Sequence, residues 1–311
     1  MEKVIIGIDL GGTNLRIGGV TSGNKMLAPS VISSALIAGA EQPVQALCGV
    51  IQDYIKANRF PAVEAVSIGV PSSVARDKET VICTTNIRDR QGRPVFDHAN
   101  IAADLRGRLG VPVFVNNDVN NILLYDVAAN RLEGQQMVVG IYIGTGVGAS
   151  VLTGGKLLEG KDGAELDLGH IPFFRGEALC SCGKKGCCEC YASGWRLQEI
   201  RRTCYPNTEI QDLFTRHGGE APLRRFVEDC AYIYAIMATI FNPDSLIAGG
   251  GVMEMKDFPR ADFERLVNEK TGTDVMSYGF QYIYSEPYVG KGVIGAAIFA
   301  RRRMAELART A

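Results

Sequence analysis

Gly7-Ile8-Asp9-Leu10-Gly11-Gly12-Thr13-Asn14-Leu15-Arg16-Ile17-Gly18-Gly19-Val20 is an apolar run broken by a glycine turn. A later stretch, Gly140-Ile141-Tyr142-Ile143-Gly144-Thr145-Gly146-Val147-Gly148-Ala149-Ser150-Val151-Leu152-Thr153, repeats its outline. Each reads as a strand, a glycine-rich hairpin and a second apolar strand. One offset carries Gly7 to Gly140 and Gly11 to Gly144. Chance likeness between glycine-rich strands is the competing reading. A duplicated lobe, each copy opening on a hairpin that can cradle phosphate, accounts for both stretches at once.

Working outward, Val44, Leu47, Cys48, Ile51 and Ile55 fall at helical spacing, and residues 65–70 return as a buried strand ending at Pro71. A helix over 97–109, stopped by Gly110, leads into a strand over 111–115, then Asn116-Asn117-Asp118, then a helix over 122–132. Farther along come a long helix over 222–241, a strand over 245–248, the triplet Gly249-Gly250-Gly251 and a last helix over 292–307. Such alternation predicts α/β lobes with largely parallel sheets covered by helices, and ligands at the carboxyl ends of the strands. The expected division is a first lobe over 1–117, with helix 292–311 packing back on it, and a second over 118–291. The hinge is expected near 116–120.

With 311 residues, the chain is long enough for two such lobes. A formal net charge of −1 offers no broad positive field for nucleic acid. The N-terminal stretch has too short an apolar run for a signal peptide, and no run approaches a membrane span, so a cytoplasmic protein with no membrane partner is expected. Five of the nine cysteines crowd between Cys180 and Cys190, which favours metal over disulfides in a chain of this size.

Three constellations carry chemistry. Asp9-Leu10-Gly11-Gly12-Thr13 sets a carboxylate at a strand end before glycines whose amides can approach phosphate; Asp9 suits Mg²⁺ and Thr13 a phosphate oxygen. Gly144-Thr145-Gly146 is its counterpart, and neither is a P-loop because no lysine follows in place. Asn117-Asp118 opens a helix after a strand, where Asp118 is either an ordinary N-cap or a base that takes the proton of a sugar hydroxyl while Asn117 orients the ring.

His170 with Cys180, Cys182 and Cys187 offers an imidazole and three thiols, a closed set for structural Zn²⁺. A redox Cys-x-Cys is the rival reading, and Cys188 and Cys190 are either alternative ligands or buried thiols. Metal in a loop over 167–190 would tie down Asp167 and Glu189, whose carboxylates suit a polyol.

Taken in order, the Asp9–Thr13 hairpin, Asn117-Asp118, residues 144–148, Leu168-Gly169-His170, residues 180–189 and Gly249–Gly251 resemble the ROK family of sugar kinases and repressors. Within it, the chain is similar to the D-allose kinases through Arg76-Asp77-Lys78, Thr80, Ile82, Asn86, Arg131-Leu132, Gln135-Gln136 and the stretch from Phe241 to Arg260. The resemblance implies a two-lobed actin-like fold, that is, duplicated ribonuclease H-like lobes, with a zinc-binding insert. It also implies ATP and Mg²⁺ as cofactors, transfer to a hexose 6-hydroxyl, and a homodimer.

Carried over residue by residue, it makes Asp118 the base, and Asn117, Asp118, His170 and Glu189 sugar contacts. His170, Cys180, Cys182 and Cys187 become zinc ligands, and Gly249-Gly250-Gly251 lies beside adenosine. D-Allose is the leading acceptor, followed by the substrates of the family's glucokinases, fructokinases and N-acetylhexosamine kinases. The family's sugar-responsive repressors carry a DNA-binding domain ahead of the first hairpin, for which Asp9 leaves no room. Two positions depart from the family: Leu166-Asp167 stands for its usual Gly-Glu, and Pro71-Ser72 for Pro-Gly.

Overall fold

A computed structural model describes residues 3–84, 87–173 and 176–310. Asn86, one of the residues that carry the D-allose kinase likeness, and Ala311, at the end of the expected last helix, lie outside them. The chain forms two compact units: Met1–Asn130 with Glu159–Glu165 and Tyr288–Ala311, and Arg131–Leu158 with Leu166–Pro287.

In the first unit, β1 (Val4–Leu10), β2 (Asn14–Val20), β3 (Met26–Ser33), α1 (Pro43–Asn58), β4 (Val63–Val70), α2 (Ile101–Leu109), β5 (Val113–Asn117) and α3 (Asp118–Ala129) follow in order. The strands make one sheet ordered β3-β2-β1-β4-β5. β1 pairs antiparallel with β2 and parallel with β4, and β4 pairs parallel with β5. Val4, Ile5, Ile6, Ile8 and Leu10 are all buried, as a central strand covered on both faces requires.

In the second unit, β6 (Met137–Ile143), β7 (Val147–Thr153), β8 (Lys156–Leu157), α4 (Gly194–Cys204), α5 (Ala221–Phe241), β9 (Ser245–Gly249), α6 (Arg260–Lys270) and β10 (Gln281–Tyr284) follow. Their sheet is ordered β8-β7-β6-β9-β10, with antiparallel β6–β7 and parallel β6–β9 and β9–β10 pairs. The two units therefore share one topology, and the offset between the two quoted stretches carries β1 onto β6 and β2 onto β7 span for span.

The last helix, α7 (Lys291–Thr310), packs on β1, β4 and α3 and belongs to the first unit. The expected division at 117 and 118, and the hinge near 116–120, fall inside that unit. α3 starts at Asp118 rather than at residue 122, and its packing against α7 and β4 holds it there. The segment Glu159–Glu165 joins the first unit because Lys78 Nζ pairs with Glu159 Oε1 at 2.9 Å and Arg76 Nε donates to the Gly160 carbonyl at 2.9 Å. Among the described residues, no helix is long and apolar enough to cross a membrane.

Candidate active site

The parallel pairing of β1, β4 and β5 sets Asp9, Gly69 and Asn116 in one register row at the carboxyl edge of the first sheet. Asn117, not Asp118, is the N-cap of α3. Its Oδ1 accepts from the Val119 and Asn120 amides at 2.9 and 3.3 Å, and its Nδ2 donates to the Ser72 carbonyl at 3.3 Å. That leaves Asp118 as the first helical residue, its Oδ1 accepting from the Val119 amide at 2.8 Å.

Burial pushes the Asp118 carboxyl up to about 7, the neighbouring Asp9 charge adding to the rise. Asp9 is itself raised by burial, while Arg16 Nη1, 3.3 Å from its Oδ2, pulls the other way. Beneath this pair lies a buried amide cluster. Asn116 Nδ2 donates to Asn121 Oδ1 at 2.8 Å, and Asn120 Nδ2 to Asn116 Oδ1 at 3.4 Å. Sequence reasoning missed these three residues. The available signal was the density of asparagines at a strand–helix junction that otherwise faces an apolar core.

The two glycine hairpins are held alike. In the first, Gly11 donates to the Asn14 carbonyl at 2.9 Å, while Ser34 donates through Oγ to Gly11 O at 2.6 Å and through its amide to Thr13 O at 3.0 Å. In the second, Gly144 donates to Gly146 O at 3.0 Å, and the opening amides of α4, Gly194 and Trp195, donate to Gly144 O and Thr145 O at 2.7 and 3.1 Å. Carbonyls are thus consumed in both turns. The amides of Gly12 and Thr13, and of Thr145 and Gly146, have no partner among the described residues, an arrangement of a kind that suits an anion.

Gly249 ends β9, paired with Tyr142 on β6. Gly250 has φ +87°, and a Cβ there would stand 2.6 Å from Ile143 backbone atoms, so only glycine fits. Val252 then donates to Ile143 O at 3.0 Å, closing the triplet onto the carboxyl end of β6.

His170, Cys180, Cys182 and Cys187 converge with one ligand atom from each within 4.8 Å of the others. Cys182 Sγ and Cys187 Sγ are 3.6 Å apart, and Cys180 Sγ is 3.5 Å from His170 Nδ1. A tetrahedron with zinc–ligand bonds of about 2.0–2.3 Å has edges of roughly 3.5–3.8 Å, so these side chains fit that ion. Nδ1 is the inward nitrogen of His170. Cys188 turns away, its Sγ 2.8 Å from Leu168 O, whereas buried Cys190 lies in the apolar shell around Cys180 and Cys187.

Glu189 Oε1 accepts from Cys180 Sγ at 3.1 Å and from Ser181 Oγ at 3.4 Å. Its Oε2 approaches Gly146 so closely that a Cβ there would be 2.9 Å away. The loop and the second hairpin, far apart in sequence, therefore meet through Glu189. Asp167 is exposed, and its carbonyl accepts from the His170 amide at 3.0 Å. Leu166, beside the exposed Asp167, adopts a left-handed φ of +58°. A left-handed leucine costs about 1–2 kcal/mol.

The ROK family model matches residues 5–303. The chain belongs to the ROK family. It is 28% identical to a glucokinase of Thermotoga maritima over 96% of this chain and 98% of that one. It is 27% identical to an N-acetyl-D-glucosamine kinase of Vibrio cholerae over 79% of this chain and 83% of the other. Among solved structures, it is similar to a ROK glucokinase from Streptomyces griseus in complex with glucose and AMPPNP, at 25% identity and a TM-score of 0.77, covering 96% of this chain and 99% of that one.

Proposed function

We propose that this chain, an ATP-dependent sugar kinase, transfers the γ-phosphoryl group of ATP to the 6-hydroxyl of a hexose, with D-allose as the leading acceptor. The observation that carries the reading is Asp118: a half-buried carboxylate at a strand's carboxyl end, tuned to about 7 beside a second carboxylate. A base needs a pKa near the operating pH. The named activities of the relatives supply the substrate class, and the D-allose kinase likeness of the sequence supplies the particular sugar.

In the step itself, Asp118 takes the hydroxyl proton, the new O–P bond forms to the γ-phosphorus, and the bond to the β-bridging oxygen breaks, releasing ADP. The amides of Gly12 and Thr13, and of Thr145 and Gly146, receive phosphate oxygens, and the Gly249–Gly251 turn borders the nucleoside. Magnesium, when bound with ATP, neutralises charge on the phosphates, and Asp9 is the carboxylate suited to hold it. Zinc, when bound by His170, Cys180, Cys182 and Cys187, supplies rigidity and no open coordination position. Asn117 spends its side chain on the helix cap, so its part is to fix Asp118. Asp167, His170 and Glu189 are the remaining sugar contacts in this reading.

A coupled ADP-release assay with Mg-ATP across allose, glucose, mannose, fructose and N-acetylhexosamines tests it. Turnover strongest with allose is expected. Turnover only with another hexose removes the allose assignment, and no turnover with any of them overturns the kinase reading.

A further inference from the structure

Away from the residues described above, α5 and α6 border a cavity of about 740 Å³ in the second unit, a volume in the range of small-molecule sites. Its wall combines three kinds of group. Arg224 and Arg225 are exposed guanidiniums with no ion pair or side-chain hydrogen bond among the described residues, whereas Arg265 on the facing helix is held by Asp262 and Glu269. Asp229 is half-buried, has no hydrogen-bond donor, and is pushed by burial up to about 6 against the opposing charge of Arg225. Leu266 and the ring of Tyr232, which carries Lys270 Nζ at 4.1 Å over one face, supply the apolar surface, and the lining carboxylates of Glu228 and Asp262 are engaged by Lys270 and Arg265.

We infer that this cavity is a second ligand site, for a small phosphorylated polyol of the sugar-phosphate class. Two exposed guanidiniums without hydrogen-bond partners among the described residues, one of them within Coulombic reach of Asp229, match a phosphate dianion through charge-assisted bonds. A half-buried carboxylate without donors matches hydroxyl hydrogens. Neither feature alone selects the class. A bare anion leaves Asp229 unsatisfied, and a neutral sugar leaves the arginines unused. The site also has a physical connection to the cysteine loop. Tyr232 stands edge-on to Phe173, with centroids 6.0 Å apart. Phe173 stacks on Tyr191 at 5.6 Å, and the Tyr191 hydroxyl accepts from the Ala178 amide at 3.0 Å. A ligand seated against Tyr232 therefore bears on the loop that carries His170 and Glu189.

The inference stands apart from the kinase reading, because its test is binding and not turnover. Titration calorimetry of the full zinc-loaded chain with glucose 6-phosphate is expected to show binding that the pair Arg224→Ala and Arg225→Ala weakens about tenfold or more at one site. Asp229→Asn serves as a second variant, weakening glucose 6-phosphate but not inorganic phosphate. Unchanged isotherms in both variants overturn the site. Equal affinity for inorganic phosphate and glucose 6-phosphate overturns the polyol assignment. A change of oligomeric state in the arginine pair with no change in ligand binding shows instead that a second copy of the chain covers this face, which also overturns the site.

Discussion

The two glycine hairpins are built on one plan and differ at the position that matters for charge. β1 and β6 open sheets of identical strand order, and Asp9 in the first corresponds to Tyr142 in the second. Each faces a glycine in the fourth strand, Gly69 or Gly249. Asp9 brings a half-buried carboxylate to the strand end and raises its neighbour Asp118. Tyr142 is 6% exposed and lies against Gly249, where a Cβ would be 2.6 Å from its ring. The second turn is also tighter by one residue, since Ile143 pairs with Val147 where Leu10 pairs with Leu15. A duplicated scaffold has thus kept unpartnered turn amides in both copies and a strand-end carboxylate in one.

That asymmetry is broken most severely at Asp118. Asp118→Asn keeps an acceptor for the Val119 amide, so sugar and ATP affinities are expected to hold while kcat falls by about 10²–10⁴. Steady-state and binding measurements on the same variant check it, and retention of most turnover removes Asp118 from the chemistry.

Next in size is the cysteine loop of the second unit. Cys182→Ser, or removal of zinc by a chelator, is expected to raise the sugar KM about ten- to a hundredfold and the ATP KM far less, because His170 and Glu189 lose their frame. Metal analysis belongs beside the kinetics: absence of zinc from the parent shows that the cysteines are packed thiols, and a Cys182→Ser variant with normal zinc content and a normal sugar KM removes Cys182 from the ligand set. A smaller effect separates the hairpins themselves. Asp9→Asn is expected to raise the magnesium requirement about tenfold, whereas Tyr142→Phe is expected to stay within about twofold of the parent. Equal responses erase the distinction drawn between the two copies.

The repeat was legible in the sequence because strand spans and glycines sit in local order, and so were the Asn117-Asp118 and His/Cys constellations. What could not be read depends on contacts between distant residues. α3 begins at Asp118 because the Asn117 side chain caps it, so the strand–helix junction is a capped, packed element inside the first unit. Glu159–Glu165 returns to the first unit through Lys78 and Arg76. Asp77 accepts from the Glu79 and Thr80 amides at 2.8 and 3.0 Å. Arg76, Asp77 and Lys78 therefore serve the backbone and packing of this unit. The cavity between α5 and α6 left no motif at all, since its arginines and Asp229 look like an ordinary solvated helix face.

The smallest expected effect is on stability, and it runs opposite to the effect on turnover. Asp118 has an ordinary carboxyl pKa of 3.8, raised to about 7 in the folded chain. Between those values the folded state binds more protons than the unfolded state, so stability falls as pH rises. The contribution is fully present below about 4 and lost once pH passes through 7. Asparagine cannot ionise and removes this dependence. Asp118→Asn is therefore expected to unfold like the parent only below about pH 4, to gain on it progressively above that, and to be more stable at pH 8 by about 1–2 kcal/mol after allowance for partial solvent exposure. With Asp118 as the proposed base, the same ionisation is expected to set the acid limb of kcat/KM in the parent, because a base must be unprotonated to accept a proton. Denaturant unfolding of both proteins at pH 5 and pH 8 gives the comparison. A stability difference that does not change with pH shows that Asp118 titrates as an ordinary surface carboxylate, and the tuning by burial and by Asp9 is then wrong.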